Sequence, residues 1–286
     1  MKKILVTGAN GQLGQCLQKI SSQFEEFEFI FTDSETLDIT IKEEVNDFFW
    51  QNAPDFCINA AAYTAVDLAE TDVEKAFLVN ADGTENLAEA CSENNAQFIH
   101  VSTDYVFDGE NNLAYTEEDF TNPLGVYGAS KLAGDELALE VNPCSVILRT
   151  SWVYSEFGKN FVKTMLNLFA TKDELNIVAD QFGQPTNAND LAETIMKIIK
   201  SEKITPGIFN FSNLGRISWF DFAEKIAELS EAKIKLNAIE TSQYPTPAKR
   251  PKNSVLDLDK ISKTYAIQLK PWEESLEECV QILQNN

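Results

Sequence analysis

Tyr127 and Lys131 stand four residues apart in N-P-L-G-V-Y-G-A-S-K-L-A-G-D-E-L. Four residues is about one helical turn, so a helix here projects both side chains from one face. An ammonium beside a phenol favours the phenolate and is expected to lower the tyrosine pKa. Such a tyrosine can exchange a proton with a carbinol oxygen near neutral pH. A third group lies upstream, in F-I-H-V-S-T-D-Y-V-F-D-G. The run ends as a strand at Val101, which puts Ser102, Thr103 and Asp104 at its carboxyl end. A Thr103 hydroxyl there could bond the same oxygen that Tyr127 protonates. The alternative is a strand-end turn satisfied by serine and aspartate. The Tyr–Lys spacing also arises by chance, so it carries chemistry only beside a cofactor site.

The chain opens with elements that would supply that site. In M-K-K-I-L-V-T-G-A-N-G-Q-L-G, Ile4, Leu5 and Val6 read as a buried strand. Gly8, Gly11 and Gly14 follow, and C-L-Q-K-I continues at helical spacing. Strand, glycine turn and helix N-terminus form a cradle for a dinucleotide diphosphate. A second strand, F-E-F-I-F-T-D, ends at Asp33, about twenty residues after Gly14. Its carboxylate can accept hydrogen bonds from ribose hydroxyls and would repel a 2′-phosphate. Residues 34–41 carry no lysine or arginine, so the local chemistry favours NADH over NADPH. Asp38 and Ile39 could flank the adenine, or Asp38 could cap a helix starting near Ile41.

The elements alternate. Strands are expected at 3–7, 27–32, 55–59, 97–102 and 144–149, and helices at 12–21, 42–51, 72–93 and 126–141. This order implies an α/β fold with a doubly wound parallel sheet. D-F-C-I-N-A-A-A runs from a strand into small residues, which let a flat ligand lie against backbone. Later helices are expected at 159–171, 189–201, 218–230 and 272–284, with one strand in G-I-F-N-F-S. The expected division is a cofactor-binding domain over 1–150. Residues 151–286 form a smaller, mainly substrate-binding region, with some segments returning to the first sheet.

Composition narrows the class. A hydrophobic content of 44% supports a packed core. No segment reads as a membrane span or a leader peptide. Five cysteines without C-x-x-C spacing read as reduced thiols in a cytoplasmic protein, and no metal site is expected. The single histidine, His100, reads as a packed strand residue. A net charge of −22 argues against nucleic-acid or anionic-membrane partners. An anionic substrate would then need local cations. Arg216 and Arg250 are candidates for a substrate diphosphate, and Trp152 could cover a sugar face or fill the core.

Together with N-A-A-A-Y-T-A-V-D-L-A-E, R-T-S-W-V-Y, D-Q-F-G-Q-P-T, S-W-F-D-F-A and R-P-K-N-S-V-L, these blocks resemble the extended short-chain dehydrogenases/reductases that act on nucleotide sugars. Within that branch they resemble the dTDP-4-dehydrorhamnose reductase family, from residue 1 to about residue 256. The resemblance implies a Rossmann-type fold and reduction of the C4 ketone of dTDP-4-dehydro-L-rhamnose by NADPH or NADH. By matching motif it implies that Thr103, Tyr127 and Lys131 are catalytic. Gly11, Gln12, Leu13, Asp38, Ile39, Ala61, Ala62 and Tyr63 would line the cofactor, and Asp104 and Trp152 would contact the sugar. Tyr63 stands where the family often has histidine, and its ring still permits stacking. The family includes magnesium-bound dimers and metal-free members, which leaves a homodimer open. Two other readings share these motifs. One is an epimerase that retains its nicotinamide. The other is a non-catalytic subunit of methionine adenosyltransferase.

Overall fold

Ile4, Leu5 and Val6 are wholly shielded from solvent, as a strand covered on both faces requires. They form the centre of β1 (Lys2–Thr7) in a computed structural model that describes residues 1–285. The chain then alternates through α1 (Gln12–Ser21), β2 (Phe27–Phe31), α2 (Lys42–Asn52), β3 (Phe56–Asn59), α3 (Gly83–Glu93), β4 (Gln97–Thr103), α4 (Val126–Val141) and β5 (Val146–Thr150). Beyond these come α5 (Phe161–Phe169), β6 (Glu174–Val178), α6 (Ala188–Ile199), β7 (Gly207–Asn210), α7 (Trp219–Leu229), β8 (Lys235–Ile239) and α8 (Trp272–Asn285). Asn286, the last residue of the expected second region, lies outside the described residues.

Six strands pair in the order β7-β5-β4-β3-β1-β2, all parallel. From β1 the chain passes to β2 on one side, then returns to place β3 on the other. The order therefore reverses between β1 and β3, and the crevice outside their carboxyl ends is where such sheets hold ligands. Leu17, Ile20, Leu191 and Ile195 of α1 and α6 cover one face. Phe49, Leu87 and Ala138 of α2, α3 and α4 cover the other. The expected doubly wound sheet is present, and β7 and α6 join it from beyond residue 150.

The expected helix over 72–93 is interrupted. A short helix (Val73–Phe77) runs into a π turn (Leu78–Asp82) before α3 begins. The Asn80 carboxamide accepts from the Tyr63 N–H at 2.8 Å and donates to the Tyr63 carbonyl at 3.1 Å and to Ser130 Oγ at 3.0 Å. Gly134 on α4 packs on the Asn80 carbonyl so tightly that a Cβ would overlap it. The wide turn turns Asn80 inward to tie three segments together.

A second cluster gathers Tyr154, Ile217, Phe222, Trp272 and Leu276. Beside it β6 and β8 form a two-stranded parallel sheet, which the sequence pattern did not reveal. A short helix at Asp259–Tyr265 was also unforeseen. All five cysteines are free thiols, and Cys144 alone is exposed. Among the described residues, no helix is long and apolar enough to cross a membrane.

Candidate active site

The helix α1 starts without a side-chain cap, because its N-cap is Gly11. By contrast Asn160, Asn187 and Ser218 cap α5, α6 and α7 with side-chain oxygens. The first amides of α1 are thus left free at the positive end of a helix, as an anion cradle requires. Gly8 takes φ +68°, and a Cβ there would lie 2.6 Å from the Ala60 carbonyl carbon and the Ala61 nitrogen. The turn after β1 therefore packs directly on the segment after β3. A Cβ on Gly14 would overlap the Gly8 carbonyl, so Gly14 seats the helix on its own turn. These glycines fit the close approach of a dinucleotide.

Two adjoining cavities open at the switch point. One, of about 360 Å³, is bordered by Gly8, Gly11, Asp33, Asp38, Ile39, Ala61 and Ala62. The other, of about 600 Å³, is bordered by Gly11, Gln12, Leu13, Ala62, Thr103, Asp104, Tyr127, Lys131 and Trp152. Both share Gly11, Ala60 and Ala62. Two expected cofactor residues border neither. Gly14 lies inside α1, and Tyr63 is occupied by Asn80 and by a 3.2 Å bond from its hydroxyl to Asp72.

In the smaller cavity the charged side chains are Asp33, Glu35 and Asp38, and no cation borders it. Asp33 accepts from Asn10 Nδ2 at 2.7 Å. Hydrogen bonding led by the Thr36 hydroxyl holds its carboxyl below the usual range, so it remains an anion. Asp38 accepts from the Thr40 N–H and hydroxyl. The N-cap of α2 is Ile41, so Asp38 does not cap that helix.

The larger cavity holds the expected catalytic set. Thr103 ends β4 and caps the short turn Asp104–Val106 by accepting from the Tyr105 N–H. Its hydroxyl donates to Asp104 Oδ1 at 3.1 Å. Gly128 lets α4 rest on the Tyr105 carbonyl, where a Cβ would overlap it. That close approach brings Tyr127 against the end of β4, with the Tyr105 ring edge-on at 5.6 Å.

The expected lowering of the Tyr127 pKa is corrected. Burial pushes the phenol up to about 12, and the nearby Thr103 hydroxyl only partly offsets this. The reason is where Lys131 points. Its Nζ donates to the Val101 carbonyl at 2.7 Å and meets His100 Nε2 at 3.0 Å, inside the sheet layer. Burial lowers Lys131 to about 8, against the pull of Asp135. Asp104 is 2% exposed, and burial raises its carboxyl to about 7.

Trp152 borders the cavity with φ +47°, a left-handed conformation rare for a bulky residue. Its indole stacks on Trp219 with centroids 3.5 Å apart. The expected contact at Arg250 is not at this cavity. Arg250 pairs with Asp67 at 2.8 Å and borders a neighbouring cleft of about 540 Å³ with Lys249 and Lys252. Arg216 lies over the Phe182 ring at 4.0 Å.

Sequence reasoning missed two features. Gln12 Oε1 accepts from Ser155 Oγ at 3.1 Å and Asn160 Nδ2 at 2.8 Å, clamping a later loop to the glycine turn. The clamp brings Lys159 to the larger cavity, a cation that no local pattern marks. His100, which read as a packed strand residue, is packed and also touches Lys131.

The family described as RmlD substrate binding domain matches residues 1–285. A dTDP-4-dehydrorhamnose reductase of Aggregatibacter actinomycetemcomitans is 46% identical over an alignment that covers 96% of this chain and 97% of that one. The crystal structure of a dTDP-4-dehydrorhamnose reductase from Clostridium acetobutylicum is 43% identical, with a TM-score of 0.94 over 99% of both chains. Another from Bacillus anthracis, in complex with NADP, is 38% identical with a TM-score of 0.95, covering 99% of this chain and 100% of its own.

Proposed function

The chain belongs to the RmlD substrate binding domain family, and on that premise we propose that it is a dTDP-4-dehydrorhamnose reductase. It reduces the C4 ketone of dTDP-4-dehydro-L-rhamnose to dTDP-L-rhamnose with NADH or NADPH. The observation that carries the reading is one cavity that joins Thr103, Tyr127 and Lys131 to the uncapped start of α1.

When bound, the reduced nicotinamide supplies a hydride to C4. Tyr127 gives the proton to the C4 oxygen as charge develops there. A phenol raised to about 12 stays protonated at neutral pH, which suits a proton donor. Thr103 donates a hydrogen bond to the same oxygen. Its hydrogen is committed to Asp104 in the resting protein, and a carboxyl near 7 can take a proton and release it. Lys131, once charged, supports the phenolate and holds a ribose hydroxyl. The free amides of α1 and Lys159, which border the larger cavity, would hold the cofactor diphosphate. Asp33 receives the adenosine ribose, and with no cation beside it NADH is preferred. Residues 1–150 bind mainly cofactor. Residues 151–286 bind mainly substrate, with Trp152 against the sugar and Arg250 toward the nucleotide. The net charge of −22 suits a cytoplasmic enzyme without nucleic-acid partners.

The test is to mix the purified protein with dTDP-4-dehydro-L-rhamnose and each reduced nicotinamide, and to follow the nicotinamide absorbance. Stoichiometric loss of absorbance is expected. A rearranged sugar with undiminished absorbance would mark an epimerase and sink the reading.

A further inference from the structure

A buried line of hydrogen bonds reaches Lys131 from the side opposite the cavity. It starts at Asn59 on β3, whose carboxamide orientation is fixed twice over. The Ala61 N–H, which can only donate, meets Asn59 Oδ1 at 3.1 Å. The Thr84 hydroxyl spends its hydrogen on the Asn80 carbonyl at 2.9 Å, so it can only accept from Asn59 Nδ2 at 3.3 Å. Asn59 Nδ2 therefore presents its other hydrogen to His100 Nδ1 at 3.1 Å. A ring nitrogen that accepts carries no proton, so the neutral imidazole has its hydrogen on Nε2.

That hydrogen points at an amine. His100 Nε2 lies 3.0 Å from Lys131 Nζ, and Nζ donates to the Val101 carbonyl at 2.7 Å. An ammonium has no lone pair and would set N–H against N–H. A neutral amine accepts from Nε2 and still donates to the carbonyl. Both side chains are buried, and burial disfavours the charged form of each. Charged neighbours come from every side. Asp135 on α4 places Oδ1 3.8 Å from His100 Nε2, which also favours hydrogen on that nitrogen. Arg149 on β5 donates to Asp135 Oδ2 at 3.2 Å and balances that carboxylate. Tyr127 and Asp104 border the cavity that Lys131 also borders.

We propose that His100 is a positioning residue: its Nε2–H holds Lys131 as a neutral amine on the Val101 carbonyl, and binding of the dinucleotide draws a solvent proton onto Lys131 as it turns to the cavity. The inference rests on the reductase reading for what the charged lysine then does. Nothing is oxidised or reduced in this step; one proton moves from water to Nζ. Above about pH 8, where burial leaves the free lysine neutral, the resting protein thus stores its catalytic cation in uncharged form, and the anionic cofactor brings it out.

His100 is the only histidine of the chain, so its imidazole ¹⁵N resonances are unambiguous. Nitrogen NMR of the labelled free protein at about pH 9, above the Lys131 pKa of about 8, should show the neutral Nε2–H tautomer. An Nδ1–H tautomer or an imidazolium overturns the proposal. The dissociation constant of NADH should rise about tenfold per pH unit above about pH 8, since each bound molecule takes up one proton. A constant value across that range also overturns it. In Asn59→Asp the new carboxylate can only accept, which favours hydrogen on Nδ1 and leaves Nε2 an acceptor. The tautomer should switch, and the midpoint of the affinity profile should move up by about one pH unit or more. An unswitched tautomer in the folded variant counts against the proposal, and the wild-type measurements decide it if the variant does not fold. Absent turnover on the keto-sugar with the Nε2–H tautomer intact sinks the reductase reading and not the role of His100. Normal turnover with an Nδ1–H tautomer does the reverse.

Discussion

The two walls of the large cavity are held in different ways. On one wall Thr103, Tyr127 and Lys131 project from β4 and α4, elements that pair or pack along their whole length. Lys131 is 1% exposed and Thr103 is 4% exposed; Lys131 bonds to groups of β4, and Thr103 to the turn that follows it. On the other wall Trp152 sits in a strained turn after β5, backed by Trp219. Beyond this wall, in the neighbouring cleft, Arg250 sits on a proline-rich loop and leans on a half-exposed Asp67. The first wall is built for a reaction that must occur at one place. The second is built from connections, where substrate contacts can be adjusted without disturbing the sheet.

This contrast predicts where substitutions act. Tyr127→Phe removes the proton donor from the rigid wall. Turnover should fall by about 10²–10⁴-fold, with NADH affinity nearly unchanged by calorimetry. Comparable turnover would show that this wall does not carry the chemistry.

The rigid wall should also betray its burial through pH. The Asp104 carboxyl is raised by burial from 3.8 to about 7. Its contribution to stability is therefore full below 3.8 and lost as pH rises through about 7. Asp104→Asn stays neutral throughout. The melting temperature of the variant relative to wild type should climb from about pH 4 to about pH 7 and then level off. A gap that does not vary with pH would mean Asp104 is solvated.

At the cofactor end, Asp33→Ser removes the charge that opposes a 2′-phosphate. The ratio of kcat/KM for NADPH over NADH should rise about tenfold, worth about 1.4 kcal/mol. No change would move the discriminating contact elsewhere. The smallest effect is expected in the neighbouring cleft. Arg250→Glu should raise KM for the nucleotide sugar by about fivefold or less, the scale of an exposed ion pair. An unchanged KM would remove Arg250 from the substrate.

The same contrast explains what could be read in the sequence. The first five strands and α1, α2 and α4 follow local patterns: apolar runs, a glycine turn and one helical period. Thr103 ends β4, Tyr127 and Lys131 lie in the first turns of α4, and all three border one cavity. The Tyr127 pKa could not be read, because the Lys131 direction depends on His100 and Val101 of another element. The π turn at Asn80 answers to Tyr63, Ser130 and Gly134, distant in sequence. In the second region β6 and β8 stabilise each other only across some sixty residues, and several strands are two residues long. Lys159 reaches the cavity through a clamp from Gln12, which no spacing announces.

The central claim is that Tyr127 protonates a C4 oxygen while a hydride arrives at C4. The most direct measurement uses NADH deuterated at the transferred position, with dTDP-4-dehydro-L-rhamnose, and reads the product by NMR. The account predicts one deuterium on C4 of dTDP-L-rhamnose for each oxidised nicotinamide released. A product without deuterium at C4, formed while the nicotinamide stays reduced, would contradict it.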